Sequence, residues 1–244
     1  ALFASAKTRA KEFLTLTGTV QKCVTLLEAE EATVEQSLLR PHAASFAAKL
    51  VELFPDELEK GLGEKLVEIC RRDPQATESF ELLKAMGPFV ATRGIVPGIP
   101  LSPPLEPPLR TLAHLFKHEQ VYHEYVAAHP ELWELVTSYA ATPALGAVAL
   151  AALQLIENVA TAGDWGVREL VGAPGVLGML VEPPKRFLGG EVEGWRVLRR
   201  RWEVVGVVAE KVGGRWGERL RERYRAGVVE RGAWEGGEVA TMEM

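Results

Sequence analysis

The chain of 244 residues has few of the residues that cross-linked proteins and metalloproteins need. Its only cysteines, Cys23 and Cys70, are too few for a disulfide framework, and their spacing is not that of a zinc site. Both fall in amphipathic helical patterns, where a free cysteine packs as a small apolar side chain. We therefore expect reduced thiols and a cytoplasmic or nuclear location, because disulfides are rare in those compartments.

Long apolar runs are also missing. The most apolar stretch, from Ala144 to Ile156, has 13 residues and ends at Glu157. This is shorter than the roughly 20 residues that cross a bilayer, so the stretch predicts a buried core helix. The first residues lack the charged and then apolar pattern of a secretory signal. We expect no membrane association.

The motifs of common catalytic sites do not occur. The chain has no GxxxxGK[ST] phosphate loop, no GxGxxG between a strand and a helix, and no GxSxG nucleophile turn. Four histidines cluster in sequence, but His118 and His123 are five residues apart and therefore point about 140° apart on a helix. They cannot bind one metal ion as HExxH does. We expect a non-enzymatic protein without a metal, a cofactor or a small-molecule substrate.

What the chain does have is helix-forming sequence with an internal repeat. Residues 122–136 align with residues 167–181, with apolar residues coinciding at 125/170, 126/171, 132/177, 135/180 and 136/181. A period of about 40 to 47 residues in helical sequence is typical of stacked helical solenoids. The sequence predicts an all-α fold, specifically an α-solenoid, in which Leu153, Ile156, Trp133, Trp195 and Trp202 belong to the core.

The stretch from Ala152 to Ala160, ALQLIENVA, resembles the third helix of an armadillo repeat. The segments 168–171 and 173–177 are similar to the short helix, turn and second helix that follow in that family. At this level armadillo and HEAT repeats are alike, so the resemblance is to an armadillo/HEAT-like family. It implies a groove that binds a partner protein as an extended peptide, a helix or a folded domain.

The resemblance also implies which residues line that groove. Importin-type members bind basic peptides through Trp and Asn one helical turn apart on the third helix. Here Asn158 matches, Gln154 stands at the Trp position, and Lys117 takes the Asn-equivalent position one repeat earlier. The resemblance therefore implies Lys117, Gln154 and Asn158 as groove residues, while the missing aromatic side chains argue against a nuclear-import receptor.

The helical patterns divide the chain into four parts. They cover 4–16, 19–31, 33–53, 56–72 and 75–86, and then 109–128, 130–141, 143–161, 165–172, 174–181, 193–211 and 214–230. Pro41 should kink or split the third pattern. We predict N-terminal helical repeats over 1–93, a proline-rich connector packed on the solenoid over 94–108, armadillo-like repeats with basic C-terminal helices over 109–231, and a flexible tail over 232–244.

Charge is unevenly distributed, which leaves an alternative function open. The chain has a net charge of −5, yet residues 195–231 carry 11 Lys and Arg against 5 Glu. Such a segment is typical either of a nucleic-acid surface or of a solvated helix face with i,i+4 ion pairs. The sequence therefore predicts a non-enzymatic scaffold, adaptor or assembly chaperone. The alternative is a nucleic-acid-binding module that uses the basic helices, with Arg199, Arg200 and Arg201 as its surface.

Overall fold

The computed structural model describes residues 18–29, 33–53, 63–74, 76–87, 89–90, 98–101, 103, 105–183 and 192–228. Every regular element in this part of the chain is helical, which confirms the all-α prediction. The predicted helix over 4–16 and the predicted tail over 232–244 lie outside it. The α-helices are α1 (Thr19–Glu28), α2 (Val34–Leu53), α3 (Gly63–Arg72), α4 (Thr77–Ala85), α5 (Glu106–Leu115), α6 (Glu119–Ala128), α7 (Leu132–Ala140), α8 (Ala147–Thr161), α9 (Asp164–Gly172), α10 (Val176–Val181), α11 (Val192–Lys211) and α12 (Gly214–Ala226).

The chain divides into two compact units, residues 1–125 and 126–244. In the first unit, α2 packs against α1 and α4, and α4 also contacts α3 and α5. The apolar faces of these helices form its core, in which the fully buried side chains include Leu66, Leu82, Met86, Leu109, Leu112, Leu115 and Phe116. The described residues of the proline-rich segment, 98–101, 103 and 105–108, belong to this unit. Its Ile99 is buried, and the Tyr125 hydroxyl donates to the Ile99 carbonyl at 2.7 Å.

Helix α2 begins at a capping box. The backbone N–H of Gln36 donates to Thr33 Oγ1 at 3.3 Å, and Thr33 N–H donates back to Gln36 Oε1 at 2.9 Å. The helix then continues through Pro41, so the structure does not have the split that the sequence suggested. The physical reason is exposure, because proline removes the N–H that would bond the Ser37 carbonyl. Ser37 lies on the exposed side of the helix, where water can take that bond.

Helices α5 and α6 replace the single helix predicted over 109–128. A turn at Phe116, Lys117 and His118 separates them. It places the Phe116 ring edge-on against Tyr122 at 5.1 Å and against Tyr125 at 5.6 Å between ring centroids. All three rings are buried. The break therefore has a tertiary cause, since an uninterrupted helix would not fold Phe116 back onto the two tyrosines.

In the second unit, α8 lies between α7, α9 and α11. Leu153 and Ile156 have no exposed surface, which confirms their predicted place in the core. Helix α9 approaches α8 at Gly166, where an added Cβ would lie 1.9 Å from the Val159 carbonyl oxygen. Only glycine permits that approach.

The tryptophans differ from the expectation in part. Trp133 is 4% exposed and belongs to the core, as predicted. Trp195 is 38% exposed, so its predicted burial is wrong. Trp202 is half-buried and stacks on Tyr224 at 4.6 Å between centroids. No helix among the described residues has the length and apolar character needed to span a membrane.

Candidate functional site

Helix α8 carries a line of partly exposed side chains on an otherwise buried helix. Leu150, Gln154, Glu157, Asn158 and Thr161 are exposed or half-exposed, whereas eight other residues of α8 are buried. Their spacing of three and four residues places them along one face. Both groove residues that the resemblance implied on this helix, Gln154 and Asn158, therefore reach the surface of the second unit one helical turn apart.

The line continues onto α11 through ion pairs. Arg200 binds the Glu157 carboxylate of α8, and its Nη1 also lies 3.2 Å from Glu203 Oε2. Arg199 Nε lies 3.4 Å from the other oxygen of Glu203. The carboxylates of Glu157 and Glu203 thus compensate two of the three consecutive arginines. The resulting surface has mixed charge and many hydrogen-bonding groups.

Arg201 does not belong to that surface, which corrects the predicted basic surface of Arg199, Arg200 and Arg201. Its side chain is 6% exposed and donates to the carbonyls of Met179 and Glu182, the latter at 2.7 Å. Burial lowers the pKa of Arg201 to about 10, and the nearby Arg223 adds to this effect. Arg201 therefore remains charged at neutral pH and serves the packing of α11 against the end of α10.

The other predicted residues have diverse settings. Lys117 is exposed in the turn after α5, in the first unit, and its place in a groove stays a prediction. The Asn158 carbonyl accepts a hydrogen bond from Thr161 Oγ1 at 3.2 Å.

In α12, the Arg219 guanidinium lies 5.0 Å from the centre of the Trp216 ring, and Arg221 donates to the Ala209 carbonyl at 3.2 Å. Arg223 is buried and donates to the Gly227 and Val228 carbonyls.

The histidines lie mainly at the surface of the first unit. Burial lowers the pKa of His114, with smaller contributions from Lys117 and Lys84 that Glu81 opposes. Burial and then Lys117 lower the pKa of His118 in the same way. Within the described ranges no three His, Cys, Asp or Glu side chains are grouped so that they could hold a metal ion.

Sequence reasoning did not identify three exposed apolar side chains, Val192, Trp195 and Leu145, here called the apolar patch. Val192 is 83% exposed and Leu145 is 42% exposed, and the 3-10 turn Pro143–Leu145 contacts α11. An added Cβ at Gly146, directly after that turn, would lie 2.7 Å from Glu193 Oε2 near the start of α11. Trp195 follows on the same helix. The signal was present, because Arg196 and Arg199 follow Val192 at i+4 and i+7 and so identify this face of α11 as exposed.

Comparisons with protein-family models, with curated proteins and with solved structures found no match to this chain.

Proposed function

We propose that the chain is a non-enzymatic armadillo/HEAT-like scaffold that binds a partner protein along the line of α8 and α11. The observation that carries the proposal is a repeated set of three helices. Helices α6, α7 and α8 begin at 119, 132 and 147, and α9, α10 and α11 begin at 164, 176 and 192. Each helix thus recurs about 45 residues later, which is the period expected of this class of repeat.

The same period relates the exposed residues of α8 to those of α11. Arg199 and Glu203 stand 45 residues after Gln154 and Asn158, and all four are exposed or half-exposed. Equivalent positions of stacked repeats form a row. The ion pair between Arg200 and Glu157 joins the two helices within that row. A row of this kind offers donors and acceptors to the backbone and polar side chains of a bound segment.

The row of Gln154, Asn158, Arg199 and Glu203 offers polar contacts only. The apolar patch adds apolar surface that a partner could bury. Trp and Arg are enriched among the residues that contribute most to protein interfaces, and such residues are usually surrounded by weaker polar contacts. Val192, Trp195 and Leu145 are the exposed apolar side chains near the start of α11. We propose that they anchor the partner, while Gln154, Asn158 and Arg199 fix its register. An adaptor or an assembly chaperone would use such a surface.

The test begins with the partner. A tagged chain is purified from its native cells, partners are identified by mass spectrometry, and the affinity of the recombinant partner is measured. We expect Gln154→Ala combined with Asn158→Ala to raise Kd at least tenfold, equivalent to about 1.4 kcal/mol. The melting temperature should change little, because both side chains are only half-buried.

The matched control is Glu134→Ala combined with Ser138→Ala. These two residues have the same i,i+4 spacing and lie on the exposed side of α7, a helix that carries no residue of the row. We expect this pair to leave Kd unchanged. Equal effects of the two double variants would contradict the proposed site. An unchanged Kd for the first pair, with binding lost when Arg215 and Arg219 are neutralised, would transfer the site to α12.

A further inference from the structure

The start of α2 has an unusual setting for a helix of a folded unit. From Val34 to His42, two and a half turns, not one residue is buried. A helical segment as short as this one is marginal in water unless one of its faces packs against another part of a protein. Two of the largest apolar side chains here are also the most exposed, with Val34 at 80% and Leu38 at 70%.

These two side chains belong to a regularly spaced set on α2. Val34, Leu38, Pro41, Ser45 and Ala48, here called the α2 stripe, lie at steps of four, three, four and three residues. They fall within about 80° of the helix circumference. The first four are exposed and Ala48 is half-exposed. Alternating steps of three and four are those of the a and d positions of a coiled coil.

Ser45 is the one polar member of the stripe, and it is compatible with a packed seam. Its side chain is small, so it leaves room for a larger side chain from a facing helix. A helical serine can also donate its hydroxyl to the carbonyl four residues earlier. That carbonyl belongs to Pro41, so the hydroxyl would keep a hydrogen bond when the stripe is covered.

We propose that the α2 stripe is a homodimer interface in which α2 pairs antiparallel with α2 of a second copy of the chain. A two-fold axis near His42 would place Leu38 opposite Ala48 of the second copy and Pro41 opposite its Ser45. Each layer then sets a larger side chain against a small one. The two-fold axis repeats both layers on its other side, as a two-fold interface requires, and Val34 lies beyond these layers at the end of the paired stretch.

The charged residues beside the stripe favour an antiparallel orientation of α2 of the second copy. Glu35 and Lys49 are exposed, and both lie next to the stripe on the same flank. In antiparallel pairs, residues of one flank face the same flank of the partner. The register that pairs Leu38 with Ala48 therefore brings Glu35 of each copy to Lys49 of the other. A parallel pair would separate these two charges by several turns.

The proposed interface is short, so the dimer should be weak and its dissociation has to be measured over a range of protein concentrations. Residues 34–48 span about 21 Å of helix, so the paired stripes bury less surface than the roughly 1,200 to 2,000 Å² of a standard complex. We therefore expect a dimer that dissociates on dilution. Sedimentation equilibrium of the full chain between about 1 and 200 μM covers the micromolar range of such contacts. A chain that stays monomeric throughout would overturn the proposal.

Two matched variants test the stripe itself. Leu38→Glu places a charge in the seam and should raise the dimer dissociation constant at least tenfold. Leu39→Glu is the control, because Leu39 is 55% exposed but lies away from the stripe. Neither side chain is in the core, so circular dichroism should show a folded chain for both. Equal dissociation constants for the two variants would reject the stripe as the interface.

Charge exchange tests the direction. Glu35→Lys alone or Lys49→Glu alone brings like charges together, and each should weaken the dimer. The double exchange should restore it. Oxidation of His42→Cys, next to the two-fold axis, should yield a covalent dimer, whereas Lys49→Cys should not. Failure of the double exchange to rescue, or cross-linking of Lys49→Cys instead, would overturn the antiparallel arrangement.

Discussion

At the scale of single residues, a close approach between α8 and α9 depends on one missing side chain. An added Cβ at Gly166 would lie 1.9 Å from the Val159 carbonyl oxygen. We predict that Gly166→Ala forces α9 away from α8 and lowers the free energy of unfolding by about 1–3 kcal/mol, the usual cost of overpacking. Urea denaturation followed by circular dichroism measures this loss.

Gly172 provides the control for Gly166 on the same helix. A Cβ at Gly172 would meet nothing within 4 Å, and its φ is not positive. Gly172→Ala should leave stability unchanged or raise it by at most about 1 kcal/mol, because alanine is the better helix former. If the two alanine variants were equally stable, the close contact between α8 and α9 would be wrong.

We predict that His114 and His118 make the stability of the first unit depend on pH. Their pKa values are lowered in the folded chain, chiefly by burial. As the pH falls below about 6.5, the unfolded chain binds protons before the folded chain does. The free energy of unfolding should therefore fall as the pH is lowered through this range, and level off below the lowered pKa values.

Urea unfolding at several pH values tests this prediction. The double variant His114→Gln/His118→Gln should flatten the fall in stability between about pH 6.5 and pH 5. His123→Gln/His129→Gln is the control, because these side chains lie near Glu119 and Glu131 and not in the same setting. A fall that persists in the first variant and disappears in the control would assign it to the other two histidines.

Residue-level burial could be predicted from sequence where helical periodicity decides it. Leu153 and Ile156 follow the i,i+3 spacing of a core face, and both are fully buried. Trp195 also lies on an apolar stripe, but its face points to solvent. Arg201 is the opposite case, because an arginine in a basic run is expected at the surface, whereas this one is buried. Its burial depends on carbonyl groups at the end of α10, distant in sequence, which no local pattern reveals.

At the scale of helices, Arg201 ties α11 to the end of α10. The last carbonyls of a helix have no partner within the helix, and here the guanidinium serves those of Met179 and Glu182. We predict that Arg201→Lys lowers the free energy of unfolding by about 1–3 kcal/mol. Lysine keeps the charge in a buried place, but its compact ammonium group cannot reproduce the planar arrangement of donors.

Arg199→Lys separates this packing role from a general effect of replacing arginine. The Arg199 side chain is 77% exposed and forms an ion pair with Glu203 of the same helix. Its replacement should change stability by less than about 0.5 kcal/mol, as is usual at the surface. Thermal and urea denaturation of the two variants make the comparison. A loss of the same size in both would mean that Arg201 has no special role at the end of α10.

The sequence predicted where the helices lie better than it predicted where each helix begins and ends. Periodicity located α8 through α12 to within a few residues, because Gly and Pro mark their ends. It failed between α5 and α6, where neither residue occurs and the packing of Phe116 on Tyr122 and Tyr125 determines the break. It also failed at Pro41, where the lost hydrogen bond lies on the solvent side of α2. Both failures reflect the surroundings of a helix and not its own sequence.

At the scale of the whole molecule, the proposed function is argued from the spacing of the helices along the chain. The apolar positions of the sequence repeat after 45 residues, and the starts of α6 to α11 follow the same period. The row on α8 and α11 could be predicted only in part. Gln154 and Asn158 came from the resemblance, whereas the ion pairs of Glu157 and the exposed patch at Val192 depend on contacts between helices.

Charge across the whole chain leads to the final prediction, which separates the scaffold from a nucleic-acid-binding protein. The basic segment 195–231 has fewer available cations than its composition indicates. Arg201 and Arg223 are buried, and Arg200 is paired with Glu157 and Glu203.

We predict weak binding of a labelled single-stranded oligonucleotide in fluorescence anisotropy. The slope of log K against log salt should be shallower than about −2 between roughly 50 and 200 mM salt, as expected when few phosphates are neutralised. A slope of about −5 or steeper, reduced by replacing Arg215, Arg219 and Arg225 with glutamine, would contradict this. It would establish α12 as a nucleic-acid surface, because only contacts with several phosphates release that many counterions.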